Sequence, residues 1–294
     1  MDPESAVDTI NARFGRHPRA RALHAKGFYA RGTFTASPQA QALSRAVHLQ
    51  GDPIPALVRL SNGGGDPTVP DFVPDVRGMG VKLELPDGTK TDFVMQSAPK
   101  FFASSPDEFV AFVKAGGSAL GLPKFLLTHP KVIASLPANA PALRPIPSFA
   151  QCRFYGVHAY KWLAADGSSR HVRCDFRPEA GDARISPKAA KALGRDYLSE
   201  ELAGRLPARW ILDVQIAEPG DTIDDPSAHW PSRRRRVDAG TLELTEIVDD
   251  PEADGSVIVV FDPSRVTDGI EMTGDPVLAF RPGAYSASVS RRTG

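Results

Sequence analysis

Cysteine is scarce. Cys152 and Cys174 are the only two in 294 residues, which excludes a disulfide framework. Each sits in a strand-like segment and fits a small buried apolar side chain better than a member of such a framework, and neither is assigned a catalytic role. An excess of one charge is also missing: Lys and Arg number 35, as do Asp and Glu, so the formal net charge is zero. Nothing in that sum predicts binding to nucleic acid or attraction to an anionic membrane surface. The one basic cluster, Arg233 to Arg236, is shorter than the blocks that make interaction tails, and Pro231 and Ser232 before it indicate a solvated loop. No stretch approaches the roughly 20 consecutive apolar residues needed to span a bilayer. The opening MDPESAVDTI has neither the basic head nor the apolar segment of an export signal, so the expected location is the cytoplasm. No Gly-rich dinucleotide fingerprint joins a strand to a helix, and there is no internal repeat.

What is present is enough apolar side chain, 41% of the residues, to bury a sizeable core in a chain of this length. Eight strand-like runs recur, at Gly27 to Ala36, Ala56 to Ser61, Gly80 to Leu85, Thr91 to Gln96, Arg153 to Leu163, His171 to Phe176, Trp210 to Ala217 and Thr241 to Val248. Eight runs of that kind fit a closed barrel. Helical spacing and suitable starts appear in SAVDTINARFG, in SPQAQALSRAVHL from Ser37, in PDEFVAFVKA from Pro106 and in PKAAKALGRDYLSEELAGRL from Pro187. The Pro-rich stretch from Pro137 to Pro147 reads as an extended connection. The predicted class is therefore α+β, an antiparallel eight-stranded β-barrel with surrounding helices, in one domain over residues 1–294.

Chemistry first shows near the end of the chain, where Arg281 stands four residues before Tyr285. A phenol is a poor metal ligand while it keeps its proton, because its unperturbed pKa is near 10. On a helix the two residues lie one turn apart on one face, where a guanidinium favours the phenolate. A phenolate so favoured is a ligand for ferric haem iron.

Earlier segments extend this reading. RALHAKG at Arg21 to Gly27 leads into the alternating stretch FYARGTFTAS. VRLSNGGG at Val58 to Gly65, DVRGMGVKLELPDG at Asp75 to Gly88 and DFVMQSAPKFFASSPDEF at Asp92 to Phe109 follow, and later come YGVHAYKW, WILDVQIAEPGD and FDPSRVTDGIE. In this order, from about Arg13 to Arg291, the segments resemble the haem catalases. The chain has neither the long N-terminal arm nor the extra C-terminal domains of the full-length forms, and so is similar to the small catalase-related peroxidases.

The resemblance implies haem b as cofactor, with Tyr285 as axial ligand of its iron. His24 in HAKG matches the distal histidine, an oriented neutral imidazole that takes a proton from bound peroxide. Ser61 matches the residue that orients this imidazole. Leu23, Phe101 and Phe109 match positions lining the porphyrin, while Arg21, Arg59 and Arg281 match arginines near the propionates or the proximal ligand.

Two positions depart from the family pattern. Gln96 stands where the family has an asparagine that polarises the peroxide; it keeps both amide functions but adds a methylene. Such a shift in a catalytic donor can cost about a hundredfold, so disproportionation is expected to suffer more than one-way peroxide reduction. Asn62 and Gly63 to Gly65 replace an apolar channel side chain, which suggests a wider mouth at Gly63 or, alternatively, a turn with no effect on access. Asp75 matches the channel carboxylate and also suits a turn role. The expected function is a haem peroxidase that reduces hydrogen peroxide and organic hydroperoxides with a small-molecule or protein electron donor, as a monomer or homodimer, with weak catalase activity. A haem-dependent hydroperoxide isomerase of the allene oxide synthase type and a non-enzymatic haem-binding barrel are the alternatives.

Overall fold

A computed structural model describes residues 1–118 and 120–293. Strands β1 (Gly27–Ala36), β2 (Ile54–Asn62), β3 (Arg77–Glu84) and β4 (Lys90–Gln96) form an antiparallel meander. β5 (Phe154–Tyr155), β6 (Tyr160–Leu163), β7 (Ser169–Pro178), β8 (Ala208–Ile216), β9 (Arg236–Val248) and β10 (Ile270–Met272) follow. β4 pairs with β5, β5 with β7, β7 with β8, β8 with β9, and β9 returns to β1. The ring closes on eight strands, as the sequence predicts, and β6 and β10 extend it beside β7.

Period-two alternation fills the barrel. Along β2, Ile54, Ala56, Val58 and Leu60 enter the core, and along β3 Met79, Val81 and Leu83 do so. They meet Phe34, Phe154, Phe176 and Trp210, all at most 1% exposed. The intervening residues, Arg59 and Ser61 on β2 and Gly78 and Gly80 on β3, therefore face outward. Cys152 and Cys174 are both buried and free.

Helices cover the outside: α1 (Pro3–Phe14), α2 (Pro38–Gln41), α3 (Pro106–Ala115), α4 (Gly121–Thr128), α5 (Pro130–Asn139), α6 (Pro187–Leu193), α7 (Tyr197–Arg205) and α8 (Pro276–Thr293). Asp2 caps α1 by accepting from Ser5 N at 2.9 Å, and Ser105 caps α3 through Glu108 N at 3.3 Å. Among the described residues no helix is long and apolar enough to cross a membrane.

Several elements differ from the sequence reading. The run Arg153 to Leu163 is two strands, because β7 pairs with β5 at Asp175 and Phe176 and with β6 at Ser169 to Val172. Residues 187–206 break at Gly194, whose φ of 117° ends α6. The helix expected from Ser37 lasts four residues. Pro137 lies inside α5, and a 3-10 turn covers Ala140–Leu143, so the Pro-rich stretch is helical at its start. The basic cluster is not simply solvated. Arg234 pairs with Asp221 at 2.8 Å, and Arg236 opens β9 and bridges Asp213 and Asp175 at 2.7 and 2.6 Å.

Candidate functional site

Outward-facing residues of neighbouring strands stand side by side through the register. Ser61, Gly78 and Gln96 share one rung, and Arg59, Gly80 and Val94 share the next. Together they make one wall of a cavity of about 270 Å³ between the barrel and helices α1, α3 and α8. The site therefore lies outside the barrel. Both glycines are required here. A Cβ on Gly78 would lie 2.5 Å from His24 Nδ1, and one on Gly80 would lie 2.7 Å from the Phe261 ring, so the bare backbone of β3 is a flat floor against which two rings rest.

His24 enters the cavity from the loop before β1, with a left-handed backbone at φ 55°. A non-glycine residue in that region is disfavoured and persists only where its surroundings over-determine it. They do so here: His24 N donates to Gly63 O at 3.0 Å and Ala25 N to Gly64 O at 3.0 Å. The Arg59 guanidinium donates to His24 O and Ala25 O at 2.8 and 3.1 Å. His24 Nδ1 lies 3.1 Å from Ser61 Oγ. With Nδ1 assigned as the donor, Nε2 is left as the proton acceptor. The ring opens on the cavity but is otherwise enclosed. That burial, helped by Arg59, Arg281 and Arg21, holds its pKa down to about 4, so the imidazole is neutral at neutral pH.

Across the cavity, α8 presents Val277, Phe280, Arg281, Ala284, Tyr285, Ser288, Val289 and Arg292, one face at alternating spacings of three and one. Arg281 Nη1 donates to Tyr285 Oη at 2.9 Å. Burial disfavours the Arg281 charge, but Tyr285, Tyr160 and Asp275 together outweigh it and the guanidinium pKa is raised. The helix is set by Asp275, which accepts from Val277 N and Leu278 N at 2.8 and 3.1 Å and holds buried His158 Nδ1 at 2.5 Å.

The cations gather at one place. Arg21 and Arg59 lie over the Tyr29 ring, 5.9 and 5.8 Å from its centroid. Glu252 accepts from Arg21 at 2.7 Å and from Tyr29 Oη, and pairs with Arg292 at 3.0 Å. Two guanidiniums thus pair with one carboxylate, and Arg59 stands beside them with no ion pair among the described residues. Burial, then Arg21, pushes Arg59 down to about 9, a strain that an anionic ligand would relieve. Phe101 and Phe109, stacked at 5.8 Å and 12°, and Leu23 add apolar wall.

Ten of the residues singled out from the sequence line this cavity: Arg21, Leu23, His24, Arg59, Ser61, Gln96, Phe101, Phe109, Arg281 and Tyr285. Gln96 Nε2 is turned back on Ala98 O at 3.2 Å. Gly63 and Asp75 lie outside the lining. A Cβ on Gly63 would lie 2.4 Å from Val76 Cγ2, and one on Gly65 would lie 2.3 Å from Ala22 O. These glycines close a packed seam behind His24. Asp75 accepts from Gly64 N at 2.9 Å in that seam, and burial raises its pKa. Arg292 and Glu252 escaped the sequence reading. Arg292 stands seven residues after Tyr285 on the same helical face, a spacing visible in the sequence, whereas Glu252 arrives from a loop with no pattern of its own.

The donor set suits a flat, mostly apolar dianion that carries ferric iron, which is the character of haem: the His24 and Phe261 rings seated on the glycine backbone of β3, aromatic and aliphatic walls, excess guanidinium at one place and a phenol paired with arginine. Arg281 Nε is also buried without a hydrogen-bond partner among the described residues. A group of three or more His, Cys, Asp or Glu able to hold a bare metal ion is absent among the described residues.

The family model described as "Catalase" matches residues 8–294. A protein of Mycolicibacterium paratuberculosis named "Catalase-related peroxidase" is 46% identical over 301 residues, covering 100% of this chain and 96% of that one. A protein of Synechococcus elongatus with the same name is 33% identical over 304 residues, covering 100% and 89%. Among solved structures, a fungal catalase superposes with a TM-score of 0.82 at 23% identity, covering 96% of this chain and 60% of its own. Catalase A from Saccharomyces cerevisiae superposes with a TM-score of 0.80 at 21% identity, covering 98% and 63%.

Proposed function

Because the chain belongs to the catalase family, we propose that the cavity on the outer barrel wall holds haem b and reduces hydrogen peroxide and organic hydroperoxides with an external electron donor. The activity is that of an oxidoreductase acting on peroxide, in line with the full-length relatives named as catalase-related peroxidases. The observation that carries the site assignment is that His24 with Ser61 and Tyr285 with Arg281 line one cavity from separate elements.

Bound haem supplies the iron centre at which the peroxide O–O bond is broken. Tyr285 Oη would ligate that iron, with Arg281 Nη1 donating a hydrogen bond to it. Arg21, Arg59 and Arg292 take the two haem carboxylates. Leu23, Phe101 and Phe109 enclose the ring and exclude water from it. His24 Nε2 accepts the proton of the incoming peroxide and returns it to the departing oxygen. Ser61 holds the imidazole so that this nitrogen stays presented. Gln96 donates its amide to the peroxide only by leaving Ala98 O, which costs alignment and favours one-way reduction over disproportionation. The electron donor is a small molecule or a small redox protein.

Steady-state peroxide reduction with an artificial donor, measured from acid to neutral pH, tests the assignment. A folded-state pKa of about 4 for His24 leaves Nε2 unprotonated above that value, so the acid limb of the rate should fall near pH 4 rather than near 6.5. His24→Ala should lower turnover about 10²- to 10⁴-fold without loss of haem. An acid limb near 6.5, or an unimpaired variant, would refute the role.

A further inference from the structure

The zero net charge conceals a strong segregation. From Phe109 to Ala165 there is no Asp or Glu, although 35 occur in the 294 residues, while six Lys and Arg fall in the same stretch. The outermost part of it is the layer made by α4 and α5, held to the body through α3, where Phe112 packs edge-on against Phe125 at 5.8 Å. Lys124 and Lys131 are exposed on it, as are Lys114 at the end of α3 and Arg144 after the 3-10 turn. None of the four forms an ion pair among the described residues.

The same layer exposes apolar side chains. Five of the eleven large apolar residues exposed among the described residues lie between Leu120 and Leu143. Leu120 and Leu127 are 81% and 83% exposed, and Ile133, Leu136 and Leu143 are 46%, 44% and 44% exposed. Phe125 of α4 and Val132 and Ser135 of α5 face inward, whereas Leu120, Lys124 and Leu127 at α4 and Lys131, Ile133 and Leu136 on α5 are exposed. Exposed leucines flanked by lysines suit peripheral attachment to a leaflet, in which the leucines enter the acyl boundary while the lysine stems reach back to headgroups.

We infer that α4 and α5 form a docking surface for an anionic lipid membrane. Charge selects this occupant. A second copy of the chain would set lysines against lysines with no carboxylate in the stretch to pair them. An acidic protein would have to supply a pocket for each protruding leucine, which a lipid leaflet does without prior shaping. The attachment is peripheral, since neither helix spans a bilayer. Docking is independent of the chemistry in the cavity, and its test reads no turnover.

The test is co-sedimentation of the purified full chain with phosphatidylcholine vesicles, with and without phosphatidylglycerol, at low and high salt. Binding should require phosphatidylglycerol and weaken with salt. Lys124→Glu with Lys131→Glu should reduce partitioning about tenfold or more, because each basic residue near an anionic leaflet contributes appreciably. Leu127→Glu with Leu136→Glu should remove the part of binding that survives high salt. Unchanged thermal unfolding of these surface variants shows that the fold is intact. Absence of binding to the anionic vesicles, or equal binding by parent and variants, overturns the inference. A dimer in light scattering that Leu127→Glu dissociates, without vesicle binding, also overturns it and makes the face a self-association surface.

Discussion

Gln96 differs from asparagine by one methylene, and its amide hydrogen-bonds to Ala98 O at 3.2 Å. Asparagine at the same strand position is one methylene shorter, so its amide would give up that contact and be left to the cavity that residue 96 lines. Gln96→Asn should therefore raise oxygen release from hydrogen peroxide by about tenfold to a hundredfold relative to donor-dependent reduction. An oxygen electrode read beside a donor assay checks it, and no gain in oxygen release would count against the role given to Gln96. Residues embedded in contiguous motifs, such as His24, Ser61 and Tyr285, were legible from the sequence. Arg292 was missed because α8 continues to Thr293, two turns beyond the motif that draws attention to Tyr285. Glu252 was missed because its partners, Arg21, Tyr29 and Arg292, lie far away in the chain. Gly63 was read as a wider mouth or a turn, and the 2.4 Å from its Cβ position to Val76 Cγ2 is a packing relation that only the folded chain displays.

At the scale of elements, alternation located the strands, because the long barrel strands send every second residue into the barrel core. It did not foresee where one strand becomes two. The split between β5 and β6 is set by which part of β7 each meets, and the Gly156 Cβ position, 2.4 Å from Cys174 O, marks how tightly the chain passes there. The seam between β1 and β9 holds another such constraint. Its register shifts between Arg31 and Gly32, and a Cβ on Gly32 would fall 1.8 Å from Glu243 O. This is a backbone contact that no rotamer can relieve. Gly32→Ala should cost more than about 3 kcal/mol in denaturant unfolding, whereas Gly88→Ala, with open space but a φ of 82°, should cost about 1 kcal/mol. Equal effects at the two positions would contradict the described seam.

For the whole molecule, eight strand runs made the barrel legible, but composition summed over the chain hid the acid-free stretch at α4 and α5. Composition is equally silent on burial of titratable groups. His48 packs in the aromatic core against Phe34 and Phe93 at 6.5 and 6.0 Å, and neither ring nitrogen has a partner among the described residues. Burial holds its pKa down to about 4 from 6.5. The unfolded chain binds this proton below about 6.5, while the folded chain refuses it until about 4, so stability falls as pH drops through that window. The loss from this group is at most about 3 kcal/mol. His48→Leu, similar in volume and without a titrating group, should flatten the decline by up to that amount and cost less than about 1.5 kcal/mol at neutral pH. Urea unfolding at several pH values measures both.

Haem ligation by Tyr285 is the claim on which the functional account rests. Its direct test is a haem titration of the parent and of Tyr285→Phe followed by absorption spectroscopy. The account predicts that the parent takes up haem with a ferric phenolate spectrum, and that the variant binds it more weakly and without the phenolate bands. The same affinity and spectrum in both proteins would contradict it.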